Sequence, residues 1–591
     1  MSKAKKSRNA TKAAKGRWAS DVIVDLLHAY KLPHAAINPG ASYRGLHDSI
    51  VNYGRNRPTM MLCQHEETAV QIAHGYAKAS GEPMVAILHN LVGLLHANMA
   101  IYYAYIDRAP IFIIGATGPM DETKRRPRID WIHTAQGQGE AVRNYTKWDY
   151  QPHTIDGAPE AFARAYAVMM TEPQGPIYMC YDAWLQEQKL DHEVPLPPQK
   201  AARVPSRLAP DPKALAQAAD LIAAAKKPVI IAEYVGREPE GFHALVDLAE
   251  TGGIPVYDVD SRLNFPTRHP LNMSMAKDVF RDADLVLCLD ARDWERPTTE
   301  LVSTTRKRTS IVPDGAKWID IGFGDLELSS WALDYQRLHH ADVRILADTS
   351  LAIPMLSALL KDRSKSDSKF QARAQARAAE TASRSEAKRG RWAKEAREDW
   401  DASPIMLPRL ASEVWDAIKD EDWVLTANTL EEWTRKLWDF DRPYRHPGRS
   451  LGTATQFGIS LGVALAHRDK KRLVVDIQPD GDLMFDAGAM WVAAKHRIPL
   501  LVVMYNNRAY YNDWEHQIRM AKLRGTPVAR AYIGMDMDDP APDFATMARS
   551  MGWYAEGPID DPNQVAGALK RAIAKVKAGQ PALLDTITQK R

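Results

Sequence analysis

The stretch QPDGDLMFDAG, residues 478–488, decides how this chain is read. An apolar run, RLVVDI (472–477), climbs into Pro479-Asp480-Gly481-Asp482 and stops. Helical spacing follows through DAGAMWVAAKHR (486–497), and a second apolar run, IPLLVVMY (498–505), ends on Asn506-Asn507. Strand, helix and strand in that order form one crossover between near neighbours of a parallel sheet. The acidic turn and the paired amides therefore belong at the same edge, outside the carboxyl ends of the strands, where such sheets gather ligands.

Asp480 and Asn507 stand 27 positions apart, the length of one helix, one strand and their turns. A carboxylate oxygen beside an amide oxygen is a hard donor set, suited to Mg²⁺ or Ca²⁺ and poor for zinc. Mg²⁺ completes its shell with phosphate and water, so this corner is expected to hold a metal-bridged diphosphate. Gly481 lets the backbone approach closely, and the next helix N-terminus offers free N–H groups to an anion. The plainer alternative is that Asp480 caps a helix and Asn506-Asn507 forms a turn.

Outward from this corner the same pattern repeats at domain scale. HAAINPG, MMLCQH, PMVAILHN and APIFIIGAT read as strands separated by helix-length segments in the first part of the chain. PVIIAEY, IPVYDV, LVLCLD and KWIDIGF mark a middle unit, and DWVLTAN, RLVVDIQ, PLLVVMYNN and PALLDTITQ a third. Three successive doubly wound parallel-sheet α/β domains are expected. The boundaries read as a basic, disordered tail at 1–17, a first domain at 18–190 and a proline-rich linker at 191–212. A middle domain at 213–360, a charged, solvated helical connector at 361–404 and a third domain at 405–591 complete the chain.

Composition excludes several classes. With 591 residues, 45% hydrophobic and 26% charged, the chain is long enough to bury large cores without staples. A net charge of +3, and acids interspersed through the basic connector, argue against a nucleic-acid partner. Nothing approaches the uninterrupted apolar length of a membrane span, and the basic N-terminus lacks the apolar core of a secretory signal. Cys63, Cys180 and Cys288 are far apart and form no CxxC, as expected of reduced, buried thiols in a cytoplasmic protein.

PDGD at one strand end with NN at the next resembles the cofactor signature of thiamine diphosphate-dependent enzymes of the acetolactate synthase, pyruvate decarboxylase and benzoylformate decarboxylase type. That signature ordinarily opens Gly-Asp-Gly; here Pro479 takes the first place. The resemblance implies Mg²⁺ held by Asp480, Asn507 and the Ala509 carbonyl. It also implies a cofactor-binding set of Gly40, Asn428, Thr429, Thr455, Phe457, Asp480, Gly481, Asp482, Asn507 and Tyr510. The segment QHEETAVQIAHGYAKASGEP (64–83) resembles the one that carries the family's activating glutamate, which falls on Glu66. Glu67 is left to favour the positive end of its helix.

The resemblance covers nearly the whole chain from about residue 18. NPG (38–40), LHNLVGLLHANMA (88–100), TKWDYQP (146–152), PQGPIYM (173–179) and NFPTRHP (264–270) are similar to benzoylformate decarboxylase, and they place His89 on a catalytic histidine. WIHTAQGQGE (131–140) resembles the histidine loop of pyruvate decarboxylase and assigns His133 to proton transfer. The chain departs further from the pattern: the second histidine of the benzoylformate enzyme, in the middle domain, has no clear match in DARDWERP (290–297). Ala41 follows NPG where a serine is usual, with Ser42 next, and the apolar wedge under the cofactor falls on Thr455-Gln456 or Phe457. The aromatic run after the metal loop, Tyr510, Tyr511, Trp514 and His516, reads either as a pocket wall or as a packed helix.

The implied activity is a carbon–carbon lyase or carboligase acting on a small 2-oxo acid or 2-hydroxy ketone, with a benzoylformate-type decarboxylase foremost. The implied assembly is a homo-oligomer, dimer or tetramer, with active sites between chains. FAD is not expected, because LDARDWERPTTE (289–300) shows no flavin signature. The rivals are an acetolactate synthase-like transferase, a 2-hydroxyacyl-CoA lyase and a non-catalytic scaffold that kept the fold.

Overall fold

In the computed structural model, residues 18–198, 203–326, 340–449, 452 and 454–590 are described. The basic tail expected at 1–17 lies outside them. The chain divides into two compact units, one ending at Ser206 and one beginning at Arg207.

The first unit is built on a six-stranded parallel sheet. Its strands are β1 (His34–Ile37), β2 (Thr59–Leu62), β3 (Met84–Leu88), β4 (Ile111–Thr117), β5 (Trp148–Tyr150) and β6 (Ile177–Asp182). Their spatial order is β2-β1-β3-β4-β6-β5. β3 and β4 are buried along their whole length, because helices cover both faces; this is why they read as unbroken apolar runs rather than alternating ones. One face packs Val85, Ile87, Phe112 and Ile114 against Val22, Leu26 and Phe162. The chain steps from β1 outward to β2 and returns past β1 to β3. That reversal opens a crevice at the carboxyl ends of β1 and β3.

The second unit holds two more parallel sheets. The middle sheet comprises β7 (Pro228–Ala232), β8 (Val256–Asp258), β9 (Leu285–Leu289), β12 (Lys317–Gly322) and β13 (Val343–Leu346), in the order β13-β12-β9-β7-β8. An antiparallel pair, β10 (Thr299–Val302) and β11 (Lys307–Ser310), intervenes in sequence between β9 and β12. The last sheet comprises β14 (Trp423–Ala427), β15 (Leu473–Pro479), β16 (Leu501–Asn506), β17 (Tyr554–Ile559) and β18 (Ala582–Ile587), in the order β14-β15-β16-β18-β17. Trp423 and Trp438 anchor its core, into which Phe242 and Leu263 also insert. Arg435 is buried among Asp258, Asp260 and Glu432. All three cysteines are free and buried.

The connector at 361–404 differs from the solvated helix expected of it. Helix Ser368–Glu395 buries Phe370, Ala374, Arg377, Thr381, Ser385 and Lys388, a single face at helical spacing. Sequence reasoning passed over this face because most of its members are polar. They dock by hydrogen bonding: Arg373 donates to the Ala223 carbonyl at 2.7 Å, and Arg377 to those of Ala225 (3.0 Å) and Gly252. These carbonyls close the helices Pro212–Ala224 and Pro239–Gly252, whose last turns have no internal partners. Arginines are favoured there by the negative helix ends. Gly253, at φ +60°, permits the approach: a Cβ there would lie 2.0 Å from the Ala374 carbonyl oxygen. Burial holds Arg377 down to about 10 and Lys388 down to about 7.

A docked helix makes a different prediction from a solvated one. Arg377→Ala strands two buried carbonyls and should lower stability by about 2–4 kcal/mol, read as a fall in the urea midpoint. The exposed Gln375→Ala, on the opposite face, should be neutral.

Candidate functional site

Two corners of the molecule carry the residues singled out from sequence. Each lies at the carboxyl ends of three adjacent strands.

In the first unit, β1, β2 and β3 are neighbours, and Gly40, Glu66 and His89 follow their respective ends. His65 caps the helix Glu66–Ser80, its Nδ1 accepting from the Glu67 N–H at 3.1 Å. Glu66 is thereby the first helical residue, and it is buried at 4% exposure. Its Oε2 accepts from His96 Nδ1 at 3.1 Å. Gly93, one helical turn before His96, makes room for it: a Cβ at Gly93 would stand 3.2 Å from Glu66 Oε1.

His89 begins the next helix and is held by Ser42, whose hydroxyl lies 2.9 Å from Nδ1. Ser42 is itself buried, so the serine displaced by one place from the usual position serves His89 rather than the open pocket. The His89 ring lies across Gly40; a Cβ there would sit 2.2 Å from the ring. His133 comes from the helix Ile129–His133, with its ring centroid 6.0 Å from that of His89. Burial, and then the positive field of His133, hold His89 below the ordinary histidine value; it is neutral at pH 7 and able to accept a proton. Glu67 is half-buried, and burial raises its carboxyl.

The second corner lies on the last sheet, where β14, β15 and β16 are adjacent and end at Asn428, Asp480 and Asn507. The helix begins at once, at Asp480, with Pro479 as its N-cap, and not after the turn as the sequence spacing suggests. Proline suits a cap because it demands no N–H partner. The Ala509 N–H bridges the two expected metal ligands, donating to Asp480 Oδ2 (3.1 Å) and Asn507 Oδ1 (3.0 Å). The two amides separate in role: Asn506 turns inward and donates to Asp585 at 2.9 Å. Gly481 is required by Tyr510, since a Cβ would meet its ring at 2.6 Å.

A cavity of about 380 Å³ opens here. Asn428, Asp480, Gly481, Asp482, Asn507, Ala509 and Tyr510 all line it, with Arg449 and Lys590 supplying positive charge. Thr429 is buried beneath and accepts through its carbonyl from Thr434. Thr455 N-caps the helix Gln456–His467 and donates to the Gly452 carbonyl. Phe457 faces the core, 6.0 Å from Trp553, so Gln456 rather than Phe457 lines the cavity. Helical geometry puts neighbouring residues on different faces, which apolarity alone does not resolve. Tyr510 and Tyr511 belong to the cavity wall, while His516 is exposed on a helix with no buried residue.

The donor chemistry fits a divalent cation with a diphosphate. Asp480 is held by neutral backbone N–H groups, those of Gly481, Arg508 and Ala509. Burial pushes Asp480 up to about 6, and Asp482 likewise. Asp482 accepts from the Ala454 N–H at 2.5 Å, and burial holds Asp476 far above the ordinary carboxylate range. Burial, which penalises the charged form, is what raises Asp480 and Asp482; a divalent cation at these oxygens would offset that cost.

Comparison with known proteins agrees with this geometry. Three domain descriptions match in chain order: the thiamine pyrophosphate enzyme N-terminal TPP binding domain over residues 17–142, the central domain over 215–355, and the C-terminal TPP binding domain over 429–586. The chain belongs to the thiamine pyrophosphate enzyme family, whose members are thiamine-dependent catalysts. It is 24% identical to a probable acetolactate synthase 2 of Oryza sativa subsp. japonica, covering 98% of this chain and 84% of the relative. It is also 24% identical to benzoylformate decarboxylase of Pseudomonas aeruginosa, covering 90% and 92%. A thiamine diphosphate-dependent 4-hydroxybenzoylformate decarboxylase of Rhodococcus jostii has the same fold, with TM-score 0.74 at 18% identity over 97% of this chain and 99% of that one.

His96 was not singled out from the sequence, and Gln456 was named there only beside Thr455 as a place for the apolar wedge. The signal for His96 was present: Gly93 and His96 are three apart on one short helix, hence on one face.

Two predictions follow from the corners. Asp480 and Asp482 titrate near 6 in the fold against an ordinary value of 3.8, so the folded chain binds more protons between those values. Stability of the cation-free protein should therefore fall as pH rises from 4 to 6, by roughly 3 kcal/mol per carboxyl, and level off above. Saturating Mg²⁺ with thiamine diphosphate should flatten that slope in a thermal-melt series. At the other corner, Gly40→Ala should displace the His89 ring and lower turnover as much as His89→Ala does, with the fold's melting temperature little changed.

Proposed function

We propose that this enzyme is a Mg²⁺-dependent carbon–carbon lyase or carboligase acting on a 2-oxo acid or 2-hydroxy ketone, with decarboxylation of an aryl 2-oxo acid the leading activity. The observation that carries the reading is that the chain has both corners: an oxygen-donor cavity at Asp480, Asn507 and Ala509, and a buried Glu66 bonded to His96 in the crevice that also holds the His89–His133 pair. Asp480, Asn507 and the Ala509 carbonyl would hold Mg²⁺. Asn428, Gly481, Asp482 and Tyr510 would line the cofactor's seat. Arg449, 3.3 Å from Glu432, and Lys590 favour its negative charge.

When bound, thiamine diphosphate supplies the nucleophilic carbon and the electron sink that permit cleavage beside a carbonyl. Glu66, its carboxylate oriented by His96, would hold a proton for the ring nitrogen of the bound cofactor. His89, neutral and fixed by Ser42, takes up or returns a proton at the substrate oxygen, and His133 relays it outward. The homo-oligomer places Glu66 of one protomer against the diphosphate corner of another, as the family resemblance implies. The benzoylformate-type reading is supported by the Pseudomonas aeruginosa relative and by His89; the acetolactate synthase relative, matched over nearly all of this chain, supports carboligation as the second reading.

Thiamine diphosphate with Mg²⁺ should stabilise the protein by a few kcal/mol at saturation; no thermal shift would favour a scaffold. Glu66→Gln should leave cofactor affinity nearly unchanged while slowing exchange of the thiazolium C2 proton on the order of 100-fold, followed by NMR. Asp480→Ala should weaken Mg²⁺ and cofactor together. A screen of 2-oxo acids, 2-hydroxy ketones and acyl-CoA esters, read by CO₂ and aldehyde release, separates the activities.

A further inference from the structure

We propose that His65, Glu66 and His96 form a second cation site, selective for Zn²⁺ or a similar transition-metal ion, whose occupation withdraws Glu66 from the cofactor. One ligand atom from each residue lies within 4.8 Å of the other two. The residues come from two elements: His65 and Glu66 from the N-cap and first position of the helix Glu66–Ser80, and His96 from the last turn of the helix Asn90–His96. The two imidazoles stack with centroids 5.1 Å apart and planes 19° apart, and Glu66 reaches His96 at 3.1 Å.

Those distances suit a small tetrahedral ion. Zinc bonds of 2.0–2.2 Å to nitrogen and oxygen set neighbouring ligand atoms about 3.3 Å apart. The Glu66–His96 pair already stands at that spacing, and modest side-chain rotation brings in His65. Gly93 keeps the carboxylate in place without a side chain against it, since a Cβ there would stand 3.2 Å from Glu66 Oε1. The His96 side chain is half-exposed, giving the ion a way in. Three protein ligands leave the fourth position to water, as in open rather than structural zinc sites.

The donor sets of the two corners discriminate between ions. Two imidazoles and a carboxylate favour Zn²⁺, Ni²⁺ or Cu²⁺ over Mg²⁺, whereas the oxygen donors at Asp480 and Asn507 do the reverse. Binding also has a cost, because His65 Nδ1 already accepts the Glu67 N–H and must release that cap to ligate through it. An affinity on the order of micromolar, reversible rather than structural, is the consequence. The binding of the ion needs only these three side chains. Its effect on the cofactor rests on the role proposed for Glu66.

The test uses the full-length, cofactor-free protein titrated with Zn²⁺ by calorimetry in Mg²⁺-containing buffer, with Co²⁺ absorption as a check on coordination. One Zn²⁺ per chain should bind, weakened at least about tenfold by His65→Ala and by His96→Gln. His96→Gln keeps a hydrogen-bond donor for Glu66 and so guards against loss of the fold. Asp480→Ala should leave Zn²⁺ binding unchanged. Saturating Zn²⁺ should slow exchange of the thiazolium C2 proton of bound thiamine diphosphate, followed by NMR, in the wild type and not in His96→Gln. Absence of Zn²⁺ binding, or binding indifferent to both histidine variants, overturns the site. Zn²⁺ binding that leaves the C2-proton exchange rate untouched overturns the coupling. Failure of thiamine diphosphate to bind with or without Zn²⁺ contradicts the proposed function while leaving the cation site standing.

Discussion

The parallel register between β15 and β16 is the constraint on which the rest depends. Pro479 lies opposite Tyr505, so Asp480 leaves β15 one residue beyond that pair and Asn507 leaves β16 two residues beyond it. Asp480 and Asn507 then meet over one backbone N–H. A slip of one residue would send every side chain of β15 to the opposite face and would carry Asp480 away from Asn507. Burial on both faces of the sheet forbids the slip: Val475 and Ile477 pack one side with Leu501 and Val503. The hydrophobic core thus stabilises the arrangement of a carboxylate that is costly to bury.

The first unit solves a similar problem with different residues. Three adjacent strand ends again converge, but the crevice is filled by imidazoles and a single carboxylate. Close approach decides its geometry: Gly40 yields to His89 and Gly93 yields to Glu66. In the corner at the ends of β15 and β16 Gly481 yields to Tyr510 in the same way. Each of these glycines is explained by what lies against it rather than by its own backbone angle. The two corners also differ electrostatically. One concentrates carboxylates that burial holds partly protonated; the other concentrates histidines, of which burial keeps His89 neutral.

Much of this was legible in the sequence because parallel strands buried on both faces advertise themselves as unbroken apolar runs. RLVVDI and PLLVVMY became β15 and β16, and the class of fold followed from their alternation with helices. Short or irregular strands gave no such signal. β5 has three residues at the sheet edge, and β17 carries a register shift at Gly557-Pro558. The helix Ser368–Glu395 escaped notice because its buried face is made of arginine, serine and lysine satisfied by carbonyls, a pattern that composition reads as solvated. In the site, the residues that follow strand ends, Asp480 and Asn507, were placed together by spacing. Residues that act across elements, as His96 does on Glu66 and Ser42 on His89, need the fold to bring them together.

The central claim is that the carboxyl ends of β15 and β16 seat a divalent cation that carries the cofactor's diphosphate. Crystals grown with thiamine diphosphate and Mn²⁺ in place of Mg²⁺ would report it directly through anomalous scattering. The account predicts one strong peak per chain, coordinated by Asp480, Asn507, the Ala509 carbonyl and two phosphate oxygens. A peak elsewhere, or cofactor bound with no metal at that corner, would contradict it.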